Sequence, residues 1–255
     1  MLLSGSEFSR RGVCFCARVV GLLIPLVFST GGSLAQDGVS SKDFWVGASV
    51  SEEMWLTYSG GTIAPFGSLH EEGFRLRAIA GYGEYDTGTQ IGSVMFQDAL
   101  LGYQTKVGSL TIAGYAGLAA IHREYVDLQI LDADTLLITW FDGTEWGAKG
   151  ALDLWYDDGG AFWASLNASY TTAFNTHSIR GRVGWKAADG LSVGPELSFD
   201  DNSKDEIQLD AGYQRAGLFA RYTWAGGEIS ISGGLSREAD DTASPYATLG
   251  FYTHY

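Results

Sequence analysis

The last stretch of the chain, SPYATLGFYTHY at residues 244–255, narrows the available folds more than any other. It alternates with the two-residue period of a β-strand, and one face consists of Ala247, Leu249, Phe251, Thr253 and Tyr255. A membrane barrel must pair its last strand with its first, because an unpaired strand edge cannot be hydrated in lipid. The stretch therefore predicts a closing strand whose Phe251 and Tyr255 face lipid beside residues 44–50.

The same alternation recurs from residue 43 onward, in segments mostly about ten to fifteen residues long. Twelve segments are predicted, at 44–50, 54–64, 73–86, 91–106, 109–123, 144–156, 161–173, 176–186, 191–199, 207–224, 228–236 and 244–255. A soluble β-sandwich would alternate too, but its strands usually have about five or six residues, whereas a membrane strand needs about nine to eleven. We therefore predict an all-β fold over residues 43–255, a transmembrane antiparallel up-and-down β-barrel of twelve strands, with ten as the alternative. The 35 glycines follow no fixed period and suit a curved, closed sheet.

Three connections depart from the short inner turns and longer outer loops of such barrels. Residues 65–72 are long for a periplasmic turn, and residues 174–175 are short for an outer loop. Residues 124–143 are apolar for an outer loop, and two interpretations stay open: an inward-folded constriction, or an extension of the neighbouring strands. Asp132 and Asp134 within them are a weak calcium signal, because two carboxylates lack the further oxygen ligands that calcium requires.

Residues 1–35 have the layout of a secretory signal peptide. Three arginines precede an apolar run at residues 19–30, which is shorter than the roughly 20 residues of a spanning helix. A small-x-small site ends at Ala35, so we expect cleavage there, a short segment at 36–42, and insertion from the periplasm into the bacterial outer membrane. Both cysteines lie inside this leader, so the mature chain would carry no thiol.

Net charge argues against nucleic acid as a partner. The formal charge is −14, and it becomes −16 without the leader, which holds three Arg and one Glu. Phosphate backbones require a basic surface. The expected surroundings of the barrel wall are instead outer-membrane lipid.

With lipid outside, the polar face of each strand lines the lumen. The candidate lumen-lining charges are Arg75, Arg77, Asp98, Glu145, Lys149, Asp153, Arg180, Arg182, Glu196, Arg221 and Glu228. Two interpretations stay open for them: ion pairs that plug the lumen, or a narrow polar path with arginines on one wall and acids opposite. Tyr115 and Trp163 are candidate lumen aromatics.

Candidate catalytic residues are few. His177 and Ser178 are adjacent, but neighbours in a strand point to opposite faces and cannot share a proton directly. Ser165 and Ser169 face inward with no histidine or carboxylate visibly placed beside them. We therefore expect no enzyme activity, and no catalytic, cofactor or metal site.

The strands contain motifs rich in Gly and Tyr: GFRLRAIAGYGEYD at 73–86, LGYQ at 101–104, AGYAG at 113–117, GPE at 194–196 and SPYATLG at 244–250. These motifs resemble those of the cellulose biosynthesis protein BcsS family of alphaproteobacteria. The resemblance implies an outer-membrane accessory barrel of cellulose or exopolysaccharide secretion, as conduit or structural element, with the polymer and its secretion machinery as partners. It assigns no binding residue. Two alternatives stay open: a small-solute or structural barrel unrelated to polysaccharide, and a lipid-modifying outer-membrane enzyme.

Overall fold

A computed structural model of the protein describes residues 40–88, 90–132, 135–202, 213–237 and 243–255. Twelve antiparallel strands close into a barrel in which each strand pairs with its sequence neighbours and the last pairs with the first. The predicted all-β, twelve-strand, up-and-down barrel is confirmed, and the ten-strand alternative is wrong. The predicted signal peptide lies outside the described residues, and within them no helix is long and apolar enough to cross a bilayer.

Strand β3 coincides with its predicted range, whereas β5 and β6 extend well beyond theirs. Residues 207–212 of the predicted strand 207–224 lie outside the described residues. The strands are β1 Lys42–Val50, β2 Met54–Ile63, β3 Gly73–Asp86, β4 Gln90–Val107, β5 Leu110–Asp132, β6 Thr135–Asp157, β7 Phe162–Thr171, β8 Thr176–Ala188, β9 Leu191–Asn202, β10 Tyr213–Trp224, β11 Gly227–Arg237 and β12 Ala243–His254. One short 3-10 helix, Ala173–Asn175, lies between β7 and β8.

The seam between β1 and β12 closes the barrel. Their register runs from Asp43 opposite His254 to Val50 opposite Ala247. Beyond the last pair, Tyr255 donates its N–H to the Lys42 carbonyl at 2.8 Å, and its own carbonyl accepts from the Ser41 N–H at 2.7 Å. Phe251 and Tyr255 are exposed on the outer wall. We call the barrel end at Ser41 and Tyr255 the terminal mouth and the opposite end the distal mouth.

The β5–β6 hairpin stands above the distal mouth. Its pairing continues without a loop from Leu110 opposite Tyr156 to Ile130 opposite Leu136. The last β6–β7 pair is Lys149 with Thr171, so residues 135–148 of β6 run on beyond that strand pair. The predicted break at 124–143 is therefore wrong as a loop, and strand extension is the interpretation that the structure supports. Within this extension, the rings of Tyr125 and Phe141 stack with centroids 5.0 Å apart.

Large apolar side chains lie on the outside of the barrel. Leu118, Leu197, Leu218 and Ile231 are each about 60% exposed or more, whereas the buried residues include Arg75, Asp98 and Glu196. A water-soluble barrel would bury the first group and expose the second. This reversed polarity is what a lipid-facing wall around a polar interior requires.

Glycine on the inner wall makes room for aromatic rings. A Cβ added at Gly184 would lie 2.2 Å from Trp163 Cε2, and one at Gly102 would lie 2.3 Å from Tyr115 Cδ1. Both rings therefore lie flat on the backbone of a neighbouring strand. The abundance of glycine thus has a local cause, since aromatics of this size fit a narrow lumen only against bare backbone.

A charge placed on the outer wall tests which face meets lipid. Replacing Leu249, exposed near mid-height on β12, by Arg should lower the free energy of unfolding by about 2–4 kcal/mol, because the guanidinium enters hydrocarbon. Tyr255→Arg, at the end of the same wall, should cost no more than about 1 kcal/mol. Urea titration of both variants in lipid vesicles measures the difference. Equal costs would contradict the lipid-facing assignment.

Candidate functional site

Because side chains alternate between the two faces of a strand, the eleven predicted charges lie on the inner wall. Arg77 on β3 reaches Asp153 on β6, with Nη2 2.6 Å from Oδ2, although two strands separate them in the sheet. Lys149 on β6 likewise places Nζ 2.5 Å from Asp98 Oδ2 on β4. Contacts of this kind must cross the interior. Glu145 joins the same wall because its register partner, Ile121, is buried inside.

Arg77 lies at the centre of a group near the terminal mouth. Its Nη2 donates to the Tyr115 hydroxyl at 2.8 Å. Its guanidinium carbon also lies 3.7 Å from the centre of the Tyr115 ring and 5.4 Å from that of Trp45. The cation is thus held by a carboxylate, a hydroxyl and two aromatic faces, an arrangement that fixes a long side chain in one position.

Glu196 lies at the centre of a second group. Its carboxylate is 3% exposed and accepts hydrogen bonds from Arg180 Nη2 at 2.6 Å and Arg182 Nε at 2.5 Å. Tyr246 donates its hydroxyl to the other oxygen at 3.4 Å. The Arg182 guanidinium lies 5.0 Å from the centre of the Phe219 ring. Two cations share one buried acid here, and the aromatic ring supplies part of the compensation.

A third pair lies close to the terminal mouth. Arg221 donates Nε to Glu228 Oε2 at 2.7 Å, and its guanidinium lies 4.8 Å from the ring centres of both Trp155 and Trp163. Outside the Glu196 group, six of the predicted charges form three ion pairs: Arg77 with Asp153, Lys149 with Asp98, and Arg221 with Glu228. Five of the six predicted cations are thus ion-paired with an acid, which is the geometry that the pairing interpretation requires. A continuous polar path stays a prediction.

Arg75, the remaining predicted cation, holds a segment that folds across the terminal mouth. We call residues 64–72, between β2 and β3, the strap. The fully buried Arg75 donates Nη2 to the carbonyls of Ser68 at 3.1 Å and Leu69 at 3.3 Å, and also to that of Glu71. Gln104 on β4 donates Nε2 to the same Leu69 carbonyl at 2.8 Å. The strap is therefore fastened to the inner wall of β3 and β4.

The other side of the strap reaches the barrel seam. Leu69 N–H donates to the Ser40 carbonyl at 2.8 Å, and the His70 ring lies 5.8 Å from that of His254 on β12. Burial, followed by the charge of His254, lowers the pKa of His70, so its imidazole is neutral at pH 7. Hydrogen bonds from Lys106 N–H and the Thr105 hydroxyl lower the pKa of Glu72, which stays ionised. The strap covers the sector of the mouth from β12 to β4.

The β7–β8 connection folds inward at the distal mouth. Phe174 and Asn175 both have a left-handed backbone, with φ of 48° and 47°. That turn directs the Phe174 ring onto Phe141, at a centroid distance of 6.1 Å, and beneath Arg123, 4.4 Å away. Gly147 is required opposite, because a Cβ there would lie 2.3 Å from Ala173 N. This connection narrows the distal mouth. From the sequence, an inward-folded constriction was one of two interpretations of residues 124–143.

One cavity opens in the sector of the terminal mouth that the strap leaves free. It has a volume of about 450 Å³ and is lined by residues of β6, β7, β8, β9 and β10 and by the β8–β9 turn. Its lining includes Trp155, Trp163, Lys186, Asp157, Ser192 and Arg221. A second cavity, of about 580 Å³, lies among outward apolar residues such as Leu197 and Leu235 and belongs chiefly to the lipid-facing wall.

Several lumen residues were missed by sequence reasoning. Arg215 donates Nη1 to Ser49 Oγ at 3.0 Å across the seam and lies 5.4 Å from the Tyr246 ring. It shares the inward parity of Arg221 on β10, so alternation alone could have found it. Arg123 and Phe174 could not be found so, because they fell at or beyond the ends of the predicted strands.

The candidate catalytic pair is separated in the structure. His177 lies with Asp201, Nε2 to Oδ2 at 3.0 Å, whereas Ser178 is on the opposite face, paired in register with Ser169 and Asp200. In the described ranges, no three His, Cys, Asp or Glu side chains are grouped so that they could hold a metal ion. The side chains of Asp132 and Asp134 lie outside the described ones.

A family model described as cellulose biosynthesis protein BcsS matches residues 44–255 of the chain. No curated protein matches it. Among solved structures, the KdgM porin is 6% identical, with 84% of this chain and 99% of that chain covered and a TM-score of 0.46. The β domain of the Bordetella autotransporter BrkA is 14% identical, with coverages of 86% and 100% and a TM-score of 0.49. The translocator domain of NalP from Neisseria meningitidis is 11% identical, with coverages of 86% and 90% and a TM-score of 0.48.

Removing the shared acid tests the buried ion-pair group. Glu196→Gln should lower the free energy of unfolding by about 3 kcal/mol, because two arginines then lose their buried counter-charge. Glu228→Gln, a matched change in the more exposed pair with Arg221, should cost less than about 1 kcal/mol. Urea titration of the refolded barrels measures both. Equal costs would mean that water reaches the Glu196 group as readily as it reaches the Arg221 pair.

Removing Arg75 tests the attachment of the strap. Arg75→Met keeps the buried stem but removes the donors to three carbonyls, each worth about 1.5 kcal/mol or more. A protease specific for glutamate should then cut the folded barrel at Glu71 or Glu72 at least about tenfold faster. Arg77→Met, two residues further along the same face, should leave that rate unchanged. Equal acceleration by both variants would refute a specific role of Arg75.

Proposed function

Because the chain belongs to the cellulose biosynthesis protein BcsS family, we propose that it is a non-enzymatic outer-membrane barrel that assists secretion of cellulose or a related exopolysaccharide. It would act there as a conduit or as a structural accessory. The observation that carries the proposal is that the family match and the closed barrel occupy the same residues, 44–255 and Lys42–His254. Family membership links the chain to cellulose biosynthesis, and the fold supports a role as an outer-membrane barrel.

The placement in the outer membrane is supported by the wall of the barrel. Outward side chains are apolar and exposed, and every strand is paired on both sides, so no backbone edge would meet hydrocarbon. The predicted leader at residues 1–35 would deliver the chain to the periplasm. Lipid is therefore the proposed partner of the outer wall, and the terminal mouth would face the periplasm.

The chemistry of the lumen suits an uncharged polymer. Five of its six predicted cations are engaged by acids, as in Arg77 with Asp153 and Lys149 with Asp98, and aromatic rings such as Tyr115 and Trp155 lie among them. A neutral sugar chain needs ring faces to lie on and hydrogen-bonding groups along the way, with no excess of one charge. An anionic polymer would instead need accessible arginines free of acids, and Arg75, which bonds to carbonyls, is fully buried.

A structural or small-solute barrel is the second candidate. Its support is the obstruction of the interior: the strap covers part of the terminal mouth, and Phe174 narrows the distal one. The ion pairs that span from β3 to β6 and from β4 to β6 lie across the space between. Planar-bilayer conductance separates an open barrel, with steady single-channel steps, from a plugged one.

Deletion of the gene in the source bacterium tests the proposed function. Secreted cellulose, measured as glucose released by cellulase from washed cells, should fall several-fold and should return with a plasmid copy of the wild-type chain. Synthase abundance in the inner membrane should be unchanged, since the barrel acts after synthesis. An unaltered cellulose yield would refute the role in secretion and leave the barrel fold untouched.

A further inference from the structure

The free sector of the terminal mouth contains the most distinctive group of side chains in the described lumen. The strap fills the side from β12 to β4, so the cavity of about 450 Å³ between β6 and β10 is where a ligand could enter from this end. Its volume lies within the range of about 300–1,000 Å³ typical of small-ligand sites. Any occupant would meet Trp155 and Trp163 on one side and the β8–β9 turn on the other.

Two stacked indoles form the aromatic side of the cavity. The rings of Trp155 and Trp163 lie 4.6 Å apart at 21°. Trp163 is 2% exposed, held between that ring and the bare backbone of Gly184, so it supports the stack from behind. Trp155 is partly exposed and is the ring that a ligand could touch.

Polar groups surround the stack, and each cation among them is paired with an acid. Lys186 Nζ lies 2.7 Å from Asp157 Oδ1, with the two side chains 33% and 29% exposed. Arg221 is bound to Glu228 and lies over both indoles. Ser192 and Thr223 add hydroxyl groups, of which that of Thr223 donates to the Gly190 carbonyl at 3.1 Å. Asp189 in the β8–β9 turn adds one further acid. The lining therefore offers donors and acceptors at the edge of a flat apolar face, with no cation in excess.

We propose that this cavity is a binding subsite for a neutral β-linked glucan segment, with one sugar ring on Trp155 and its hydroxyls bonded to Lys186 and Asp157. The assignment rests on the proposed function for the choice of a glucan. In a β-1,4-linked glucose chain every ring substituent is equatorial, so both ring faces present C–H groups that stack on indole. An anionic sugar would have to displace Asp157 or Glu228 from its cation, which disfavours it.

Ligand-detected NMR titration of the refolded, full mature chain in detergent micelles tests the subsite, with cellopentaose and maltopentaose as probes. Cellopentaose should bind, and Trp155→Ala should weaken it about fivefold to tenfold through loss of the stacking face. Trp155→Phe, which keeps a flat ring, should recover part of the affinity. Trp140→Ala, an equal truncation at an exposed position on the β5–β6 hairpin, should leave affinity unchanged. Heat-dependent mobility in electrophoresis verifies that each variant is folded.

Three results would overturn the subsite: no binding of cellopentaose to the folded wild type, equal affinity of wild type and Trp155→Ala, or maltopentaose binding as tightly as cellopentaose. None of them depends on the deletion phenotype. If deletion reduces secreted cellulose while Trp155→Ala binds normally, the subsite fails and the proposed function stands. If Trp155 binds cellopentaose while deletion leaves cellulose unchanged, the secretion role fails and the subsite stands.

Discussion

Backbone pairing across the β1–β12 seam is the constraint on which the remaining structure depends. An unsatisfied amide or carbonyl in hydrocarbon costs several kcal/mol, so a sheet surrounded by lipid has to close. Here the register continues from Val50 opposite Ala247 down to Asp43 opposite His254, and Tyr255 adds backbone bonds to Lys42 and Ser41. Closure removes the sheet edges, and it also fixes which side chains share the enclosed space.

Once the sheet is closed with apolar side chains outside, the polar ones have to be satisfied inside. The lumen of a twelve-strand barrel is intermediate between side-chain-filled and open types, so its charges lie within reach of one another. Glu196 accordingly serves both Arg180 and Arg182, and Arg77 reaches Asp153 across the interior. Glycines such as Gly184 then admit rings as large as Trp163. Ion pairs and aromatic faces are thus two results of the same confinement.

The two-residue period of the sequence was sufficient to predict most of the fold. Strict alternation located β3 at Gly73–Asp86 and the closing strand, because a half-buried strand needs nothing beyond a contrast between its two faces. It also put all eleven candidate charges on the inner wall. It misjudged residues 124–143, where an apolar stretch was read as a break although β5 and β6 continue as one hairpin. Apolar content on both faces hides the period there.

The two inward-folded connections lay beyond the reach of such reasoning. The strap depends on Arg75 meeting backbone carbonyls of Ser68, Leu69 and Glu71. The distal turn depends on the left-handed backbone of Phe174 and on the fit of Ala173 against Gly147. Neither contact follows from a period, since each needs the three-dimensional position of groups on different strands. Sequence could show only that residues 65–72 were too long for their place.

The strap determines which sector of the terminal mouth stays open. By filling the sector from β12 to β4, it leaves access beside Trp155, where the cations are paired with acids, Lys186 with Asp157 and Arg221 with Glu228. An uncharged chain approaching this mouth would meet neither repulsion nor a counter-ion to displace, and the indole face would be the strongest attraction offered to it.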